Sequence, residues 1–276
     1  MHWRCLNRTL DLSRPIVMGI LNVTPDSFTD GGRYLQADAA LDRAAAMVAE
    51  GALIVDVGGE STRPGAAAVD ADAEMARVVP VIERIRATLD VAISIDTSKA
   101  TVMAAAVGAG ASIINDVNAL RDGAALEFAA RAGAGVCLMH MQGDPRTMQE
   151  KPHYADVVAE VGAFLMSRRD TCLAAGLPPD AIVLDPGIGF GKTQSHNLEL
   201  LRRLPELAAL GPPLLLGVSR KSFIGNILGR GTLERVNGGV GLAALCVQLG
   251  ARIIRTHDVA PTVEAVRMVT AVMQGS

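Results

Sequence analysis

The sequence predicts an α/β fold: a (β/α)8 barrel, or TIM barrel, in a single domain over residues 1–276. Three observations predict it. Eight short apolar runs each end abruptly in a polar or charged residue. Ala- and Leu-rich stretches with helical spacing follow them. The repeat averages about 30 residues, which suits a closed barrel of about 250 residues with insertions. A strand buried on both faces shows no polar alternation, so it first presents a charge where it emerges. In a barrel those strand ends meet around one mouth. An open doubly wound sheet is the competitor, but the regular units and the lack of a second domain favour closure.

Residues 3–12 are expected to form a short hairpin or lid ahead of the first core strand. Ile16–Leu21 then runs into Asn22, and a long polar loop over 22–35 follows. Ala39–Glu50 reads as a helix, with Leu41, Ala44, Ala45 and Val48 on one face. Leu53–Val55 delivers Asp56 and opens a second long loop through Gly65; a helix is expected near Asp72–Leu89. Val91–Ile95 ends in Asp96, Ser112–Ile114 in Asn115, Gly135–Met139 in His140 and Ala181–Leu184 in Asp185. Leu214–Val218 runs into Ser219-Arg220-Lys221, and Arg252–Ile254 into Arg255-Thr256-His257. Helices are expected near Lys99–Val107, Ala124–Ala132, Tyr154–Ala175, Leu233–Leu249 and Val259–Met273. One more, near Asn197–Leu204, is expected to stop at Pro205.

Composition narrows the function classes. Hydrophobic residues make up 50% of the chain and aromatics only 3%, so the core must be mainly aliphatic. A net charge of −3 without long Lys or Arg runs argues against nucleic acid or an anionic membrane as partner. No stretch of about 18 apolar residues predicts a membrane span, and the first residues lack the apolar core of a secretory signal. Cys5, Cys137, Cys172 and Cys246 are scattered without a CxxC pair, so a reducing, cytoplasmic setting is expected.

The glycine-rich run Asp185-Pro-Gly-Ile-Gly-Phe-Gly-Lys192-Thr193 fits neither the P-loop nor the G-x-G-x-x-G spacing, so a nucleotide reading is poor. It still allows a ligand to approach the backbone closely. Asp96 alone would most often be read as a helix cap, as would Asp56, Asn115 and Asp185. Gathered at one mouth, however, they suit a ligand edge rich in hydrogen-bond donors. Arg63, Lys221, Arg255 and His257 bring the opposite charge from other strand ends, suited to phosphate oxygens or to neutralising the carboxylates. His140 reads as a satisfied structural histidine, His196 as lying at a helix start, and Met139 and Met141 as packing. Residues alone therefore suggest a polar heterocycle carrying an anionic phosphate tail.

Two long motifs make this specific. Met18-Gly-Ile-Leu-Asn22-Val-Thr-Pro-Asp-Ser-Phe28-Thr-Asp30-Gly-Gly and Asp56-Val-Gly-Gly-Glu-Ser-Thr62-Arg63-Pro64-Gly resemble the two signatures of the dihydropteroate synthase family. The resemblance continues in order through Ile95-Asp96-Thr, Ile114-Asn115-Asp116, Leu138-Met139-His140, the Asp185 run, Ser219-Arg220-Lys221-Ser222 and Arg255-Thr-His257-Asp. It implies condensation of 6-hydroxymethyl-7,8-dihydropterin diphosphate with p-aminobenzoate by an S_N1-like route, giving 7,8-dihydropteroate and pyrophosphate. By resemblance, Asp96, Asn115, Met139, Asp185, Lys221 and Arg255 contact the pterin. Arg63, Arg255 and His257 hold the diphosphate, and Asn22 helps to hold Mg²⁺ with it. Phe28, Thr62, Pro64, Phe190, Lys221 and Ser222 form the p-aminobenzoate pocket. Asp30 helps complete the closed site, and the groups expected to act in catalysis are Asp96, Lys221, Arg63, Arg255, His257 and Asp30. The family also implies a homodimer through late helices.

Two relatives of the same barrel type offer alternatives, a methyltetrahydrofolate–corrinoid methyltransferase and a catalytically silent pterin-binding paralogue. The intact Phe28 loop and Thr62-Arg63-Pro64 argue against the first; intact Asn22, Arg63 and Lys221 argue against the second. One departure is Val-Asn237-Gly-Gly after Glu234-Arg235, where many relatives carry Ser-Gly after Glu-Arg-Leu.

Overall fold

The computed structural model describes residues 1–24, 33–61, 68–144 and 147–275, with backbone alone at 33–36. The chain opens with an antiparallel pair, β1 (His2–Cys5) and β2 (Arg8–Asp11). The barrel strands follow: β3 (Ile16–Asn22), β4 (Ile54–Gly58), β5 (Ala92–Asp96), β6 (Ile113–Asp116), β7 (Gly135–Met139), β8 (Ile182–Asp185), β9 (Leu215–Leu216) and β10 (Ile253–Thr256). All neighbours run parallel, in the order β8-β7-β6-β5-β4-β3-β10-β9. A parallel bridge between Leu184 and Leu214 joins the two ends, and the Leu184 N–H donates to the Pro213 carbonyl at 3.0 Å. The sheet therefore closes into a (β/α)8 barrel.

Alternation along each strand separates two cores. Outward residues such as Val55, Val57, Ile93, Ile95, Ile114 and Leu138 pack under the helices. Inward residues near the strand starts (Met18, Ile54, Ala92, Ile113, Cys137, Val183, Leu215, Ile253) pack with Trp3, Cys5 and Leu12 of the opening hairpin. Trp3 is fully buried and its Nε1 donates to the Ala181 carbonyl at 3.0 Å, just before β8 begins. The hairpin thus plugs the N-terminal end of the barrel. It is no lid, because the polar strand ends all lie at the opposite end.

The helices are α1 (Arg33–Ala49), α2 (Ala71–Thr88), α3 (Ala100–Ala109), α4 (Gly123–Ala132), α5 (Val157–Ala174), α6 (Gln194–Arg202), α7 (Leu204–Ala208), α8 (Ser222–Leu228), α9 (Val236–Gln248) and α10 (Val259–Gln274). Asp70, Asp122, Asp156 and Thr193 cap α2, α4, α5 and α6 with their side-chain oxygens, satisfying amides the helices leave open. Two expectations change. Pro205 does not stop a helix but sits in the first turn of α7, where its missing N–H costs nothing. The short α8 was not anticipated; it is too brief to show a helical period. Among the described residues, no helix is long and apolar enough to cross a membrane.

Candidate active site

The ladder registers place the polar strand ends on one level. Asn22 pairs with Gly58, Gly58 with Asp96, and Asp96 with Asn115; Met139 pairs with Asp185. Gly58, lacking a side chain, leaves Asn22 and Asp96 facing one small gap. A methyl placed there would lie 3.8 Å from Asn22 Oδ1 and 3.9 Å from Asp96 Oδ2.

Arg255, at the end of β10, ties this level together. Its Nε donates to Asp56 Oδ2 at 2.6 Å and its Nη2 to Asp96 Oδ2 at 2.6 Å. Asn115 Nδ2 donates to the same Asp56 oxygen at 3.2 Å. The capping reading of Asp96 is excluded, since α3 begins behind Lys99 without any side-chain cap. Asp56 supports the mouth through hydrogen bonds, anchoring the cation and accepting from Asn115. The ion-pair reading of Arg255 is thus correct.

Burial sets the electrostatics. It pushes the Asp96 carboxyl up to about 7, against the pull of Arg255, with Asp56, Asp116 and Glu74 adding to the rise. Asp185 is also raised by burial, although the Gly187 N–H donates to its Oδ1 at 2.7 Å and Lys221 and Arg255 oppose the shift. The Lys221 ammonium is pushed down to about 8, chiefly by burial, with Asp185 favouring its charge. Asp96 and Lys221 are thus poised to change charge near neutrality, as groups in functional sites tend to be.

The other wall is apolar. Phe190 packs beside Val117, Met139, Met141 and Met148, and the Lys221 ammonium lies 4.3 Å from the Phe190 ring centroid. Ser222 opens α8 next to Lys221 and is exposed. His257 Nδ1 and Ser219 Oγ are 3.0 Å apart, which holds the imidazole at the rim. The structure therefore brings Asn22, Asp96, Asn115, Met139, Asp185, Phe190, Lys221, Ser222, Arg255 and His257 to the same end of the barrel. Phe28, Asp30, Thr62, Arg63 and Pro64 lie outside the described residues.

Several supporting residues were missed. Asp116 accepts from Ser98 Oγ at 2.6 Å and from the Asn118 and Leu120 amides, both at 2.8 Å, so it shapes the turn after β6. Lys99 joins Glu60, just after β4, to Glu74 in the first turn of α2. Arg235 Nη1 donates to the Arg220 carbonyl at 3.2 Å, bracing the segment that presents Lys221. Each depends on side chains that no periodicity in the sequence brings together, and only the Asp116 motif had a local signal. As expected, His140 is buried and hydrogen-bonded, and His196 shares a capping box with Thr193.

A closed barrel with one charged mouth, half carboxylate and half cation beside an apolar wall, defines a ligand-binding barrel of the enzyme type. A family model described as pterin binding enzyme matches residues 18–257. Dihydropteroate synthase of Escherichia coli (strain K12) is 52% identical over 265 residues, covering 96% of this chain and 94% of its own length. A Xanthomonas albilineans dihydropteroate synthase structure with 4-aminobenzoic acid superposes with a TM-score of 0.93 at 48% identity, covering 99% of this chain and 98% of that one. Another from the same organism, in complex with 7,8-dihydropteroate, gives 0.90 at 45% identity, covering 99% of each chain. The chain belongs to the pterin-binding enzyme family and, within it, to the dihydropteroate synthases.

Proposed function

We propose that this protein, a transferase, joins 6-hydroxymethyl-7,8-dihydropterin diphosphate to p-aminobenzoate, releasing pyrophosphate and 7,8-dihydropteroate. The observation that carries the reading is the Asp56–Arg255–Asp96 network beside Asn115 and Asp185. The pterin edge is rich in N–H donors, and Asp96, Asn115 and Asp185 offer the acceptors that such an edge requires. Lys221 supplies a donor to the ring's acceptor positions, and Met139 packs beside the ring. With Nε and Nη2 given to carboxylates, Arg255 meets the pterin through its flat face and the diphosphate through Nη1. His257 and Arg63 complete the anion contacts.

Mg²⁺ fits the residues present. Among the described residues no cluster of three His, Cys, Asp or Glu side chains forms a protein cage. Magnesium needs none when substrate phosphates and water fill most of its shell. Asn22 Oδ1 offers a hard oxygen at the gap beside Gly58. When bound there, the ion would neutralise diphosphate charge.

The carbon–oxygen bond from the exocyclic methylene to the diphosphate breaks first, and its electron pair leaves with the diphosphate. Arg255, Arg63 and His257 stabilise the departing anion. The carbocation delocalises over the pterin nitrogens, with the Asp96 carboxylate beside it. The p-aminobenzoate nitrogen then attacks the methylene carbon and its proton passes to the released pyrophosphate; Phe190, Lys221 and Ser222 line its pocket, with Thr62 and Pro64 assigned to it by the family resemblance. By the family resemblance, Phe28 and Asp30 would help exclude water, which would otherwise trap the cation.

Exposed Leu245, Met268, Val272 and Met273 on α9 and α10 support a homodimer through those helices. Four buried free cysteines are compatible with the reducing cytoplasm. Calorimetric titration with the dihydropterin diphosphate tests the reading. Binding in the presence of Mg²⁺, weakened about tenfold or more by chelator, is the expected result; no binding under either condition overturns it.

A further inference from the structure

Lys192 is 2% exposed, and neither the mouth chemistry nor any nucleotide motif uses it. Its ammonium lies 3.0 Å from His140 Nδ1, 2.9 Å from the Gly187 carbonyl and 2.9 Å from the Phe190 carbonyl, with the His140 carbonyl at 3.4 Å. These partners are an imidazole and three carbonyls, none of them anionic. Burial, and then the neighbouring Lys192 charge, push the His140 imidazole down to about 3, so it stays neutral and offers Nδ1 as an acceptor. A buried ammonium whose hydrogen-bond partners are all neutral is costly to keep, and burial pushes Lys192 down to about 7, with the nearby Asp185 favouring its charge and Lys221 opposing it. Three N–H donors matched to three close acceptors offset that cost by fixing the loop that supplies two of them.

That loop carries Phe190. It lies directly on the segment after β7: Gly187 and Gly191 both have positive φ, +68° and +60°. A Cβ on Gly187 would overlap the His140 carbonyl oxygen, and one on Gly191 the Gln142 carbonyl oxygen. Tyr154 Oη donates to the Gly191 carbonyl at 2.7 Å, Gln149 Nε2 to the Gly189 carbonyl at 2.8 Å, and the Gly189 N–H donates to Asn197 Oδ1 at 2.7 Å. The Phe190 N–H closes the turn on the Gly187 carbonyl at 3.0 Å; among the described residues, the Lys192 side chain binds the carbonyls at both ends of that turn and ties them to His140.

We propose that Lys192 is a positioning residue for the p-aminobenzoate pocket, its ammonium stapling the Gly187–Phe190 turn to the end of β7 and so fixing the Phe190 ring opposite Lys221. The role rests on the dihydropteroate synthase reading. Lys192 does not touch the substrates; it acts through Phe190.

The test uses Lys192→Met in the full chain, nearly isosteric but without donors. KM for p-aminobenzoate is expected to rise about tenfold or more, with kcat and KM for the pterin diphosphate within about threefold. An unchanged p-aminobenzoate KM, or a loss confined to kcat, overturns the proposal. Amide hydrogen exchange supplies a readout independent of activity: Gly189 and Phe190 amides should exchange about tenfold faster while β5–β7 amides keep their protection. If wild-type protein makes no dihydropteroate, the synthase reading fails, yet unchanged exchange in the variant would still refute the staple. If Lys192→Met does not fold, Lys192→Gln, which keeps two N–H donors, takes its place. It is expected to raise the same KM about threefold, and a wild-type KM there overturns the proposal.

Discussion

Arg255 Nε lies 2.6 Å from Asp56 Oδ2, so the cation at the end of the last strand is seated on a carboxylate with no solvent exposure. The partners are 199 residues apart, on strands separated only by β3 in the closed sheet. Because Asp56 takes Nε and Asp96 takes Nη2, the protein's own carboxylates fix the guanidinium. Pre-organisation of this kind is what electrostatic catalysis requires.

Asp56→Asn removes one carboxylate of that pair while Asp96 remains. Breaking a buried ion pair by losing one partner costs about 3–5 kcal/mol, and the surviving Asp96 contact places this variant near the lower end, about 3 kcal/mol. Urea denaturation checks it. A stability equal to wild type would mean that Arg255 is not held as described.

Asp96→Asn retains shape and removes the charge beside the forming carbocation. Turnover is expected to fall about 100-fold, while the dissociation constant for p-aminobenzoate in the ternary complex moves about twofold at most. Steady-state kinetics together with calorimetry separate the two. Unchanged turnover would remove Asp96 from the mechanism.

The pH profile of kcat/KM should be a bell. Asp96 must be ionised, which needs a pH above about 7, and Lys221 must be charged, which needs a pH below about 8. For stability the signs differ. Asp96 is raised from 3.8, so the folded state holds an extra proton up to about pH 7 and loses stability as pH rises through that window. Lys221 is lowered from 10.5, so above about pH 8 the unfolded chain holds the extra proton and stability returns with rising pH. Both groups therefore cost most stability where activity peaks. Melting temperatures across the range check this; an acid limb near pH 4 would contradict the Asp96 environment.

Trp3→Ala should separate stability from activity. Trp3 fills the floor of the barrel, and its loss should cost about 3–5 kcal/mol. Well below the melting temperature, kcat/KM should be unchanged, because the hairpin lies opposite the mouth. Denaturation midpoints and initial rates together decide.

Much of this architecture was legible in the sequence. Val91–Ile95 followed by Asp96 reads as a doubly buried strand that shows its charge on exit, and the other strand ends repeat that pattern. Their meeting at one mouth follows from closure. Local patterns could not supply partners across the barrel. Asp56 looks like any strand-end acid until β10 brings Arg255 beside it, and Lys192 looks like a failed nucleotide motif until β7 brings His140 beneath it. Pro205 was misread because a proline that ends one helix and a proline that begins the next look alike in sequence.

The most direct measurement of the whole account is turnover of purified protein with the dihydropterin diphosphate, p-aminobenzoate and Mg²⁺, following both products together. The account predicts dihydropteroate and pyrophosphate in equal amounts, abolished by chelator and restored by added Mg²⁺. Tight pterin binding without either product would contradict it and leave a binding protein built on the same barrel.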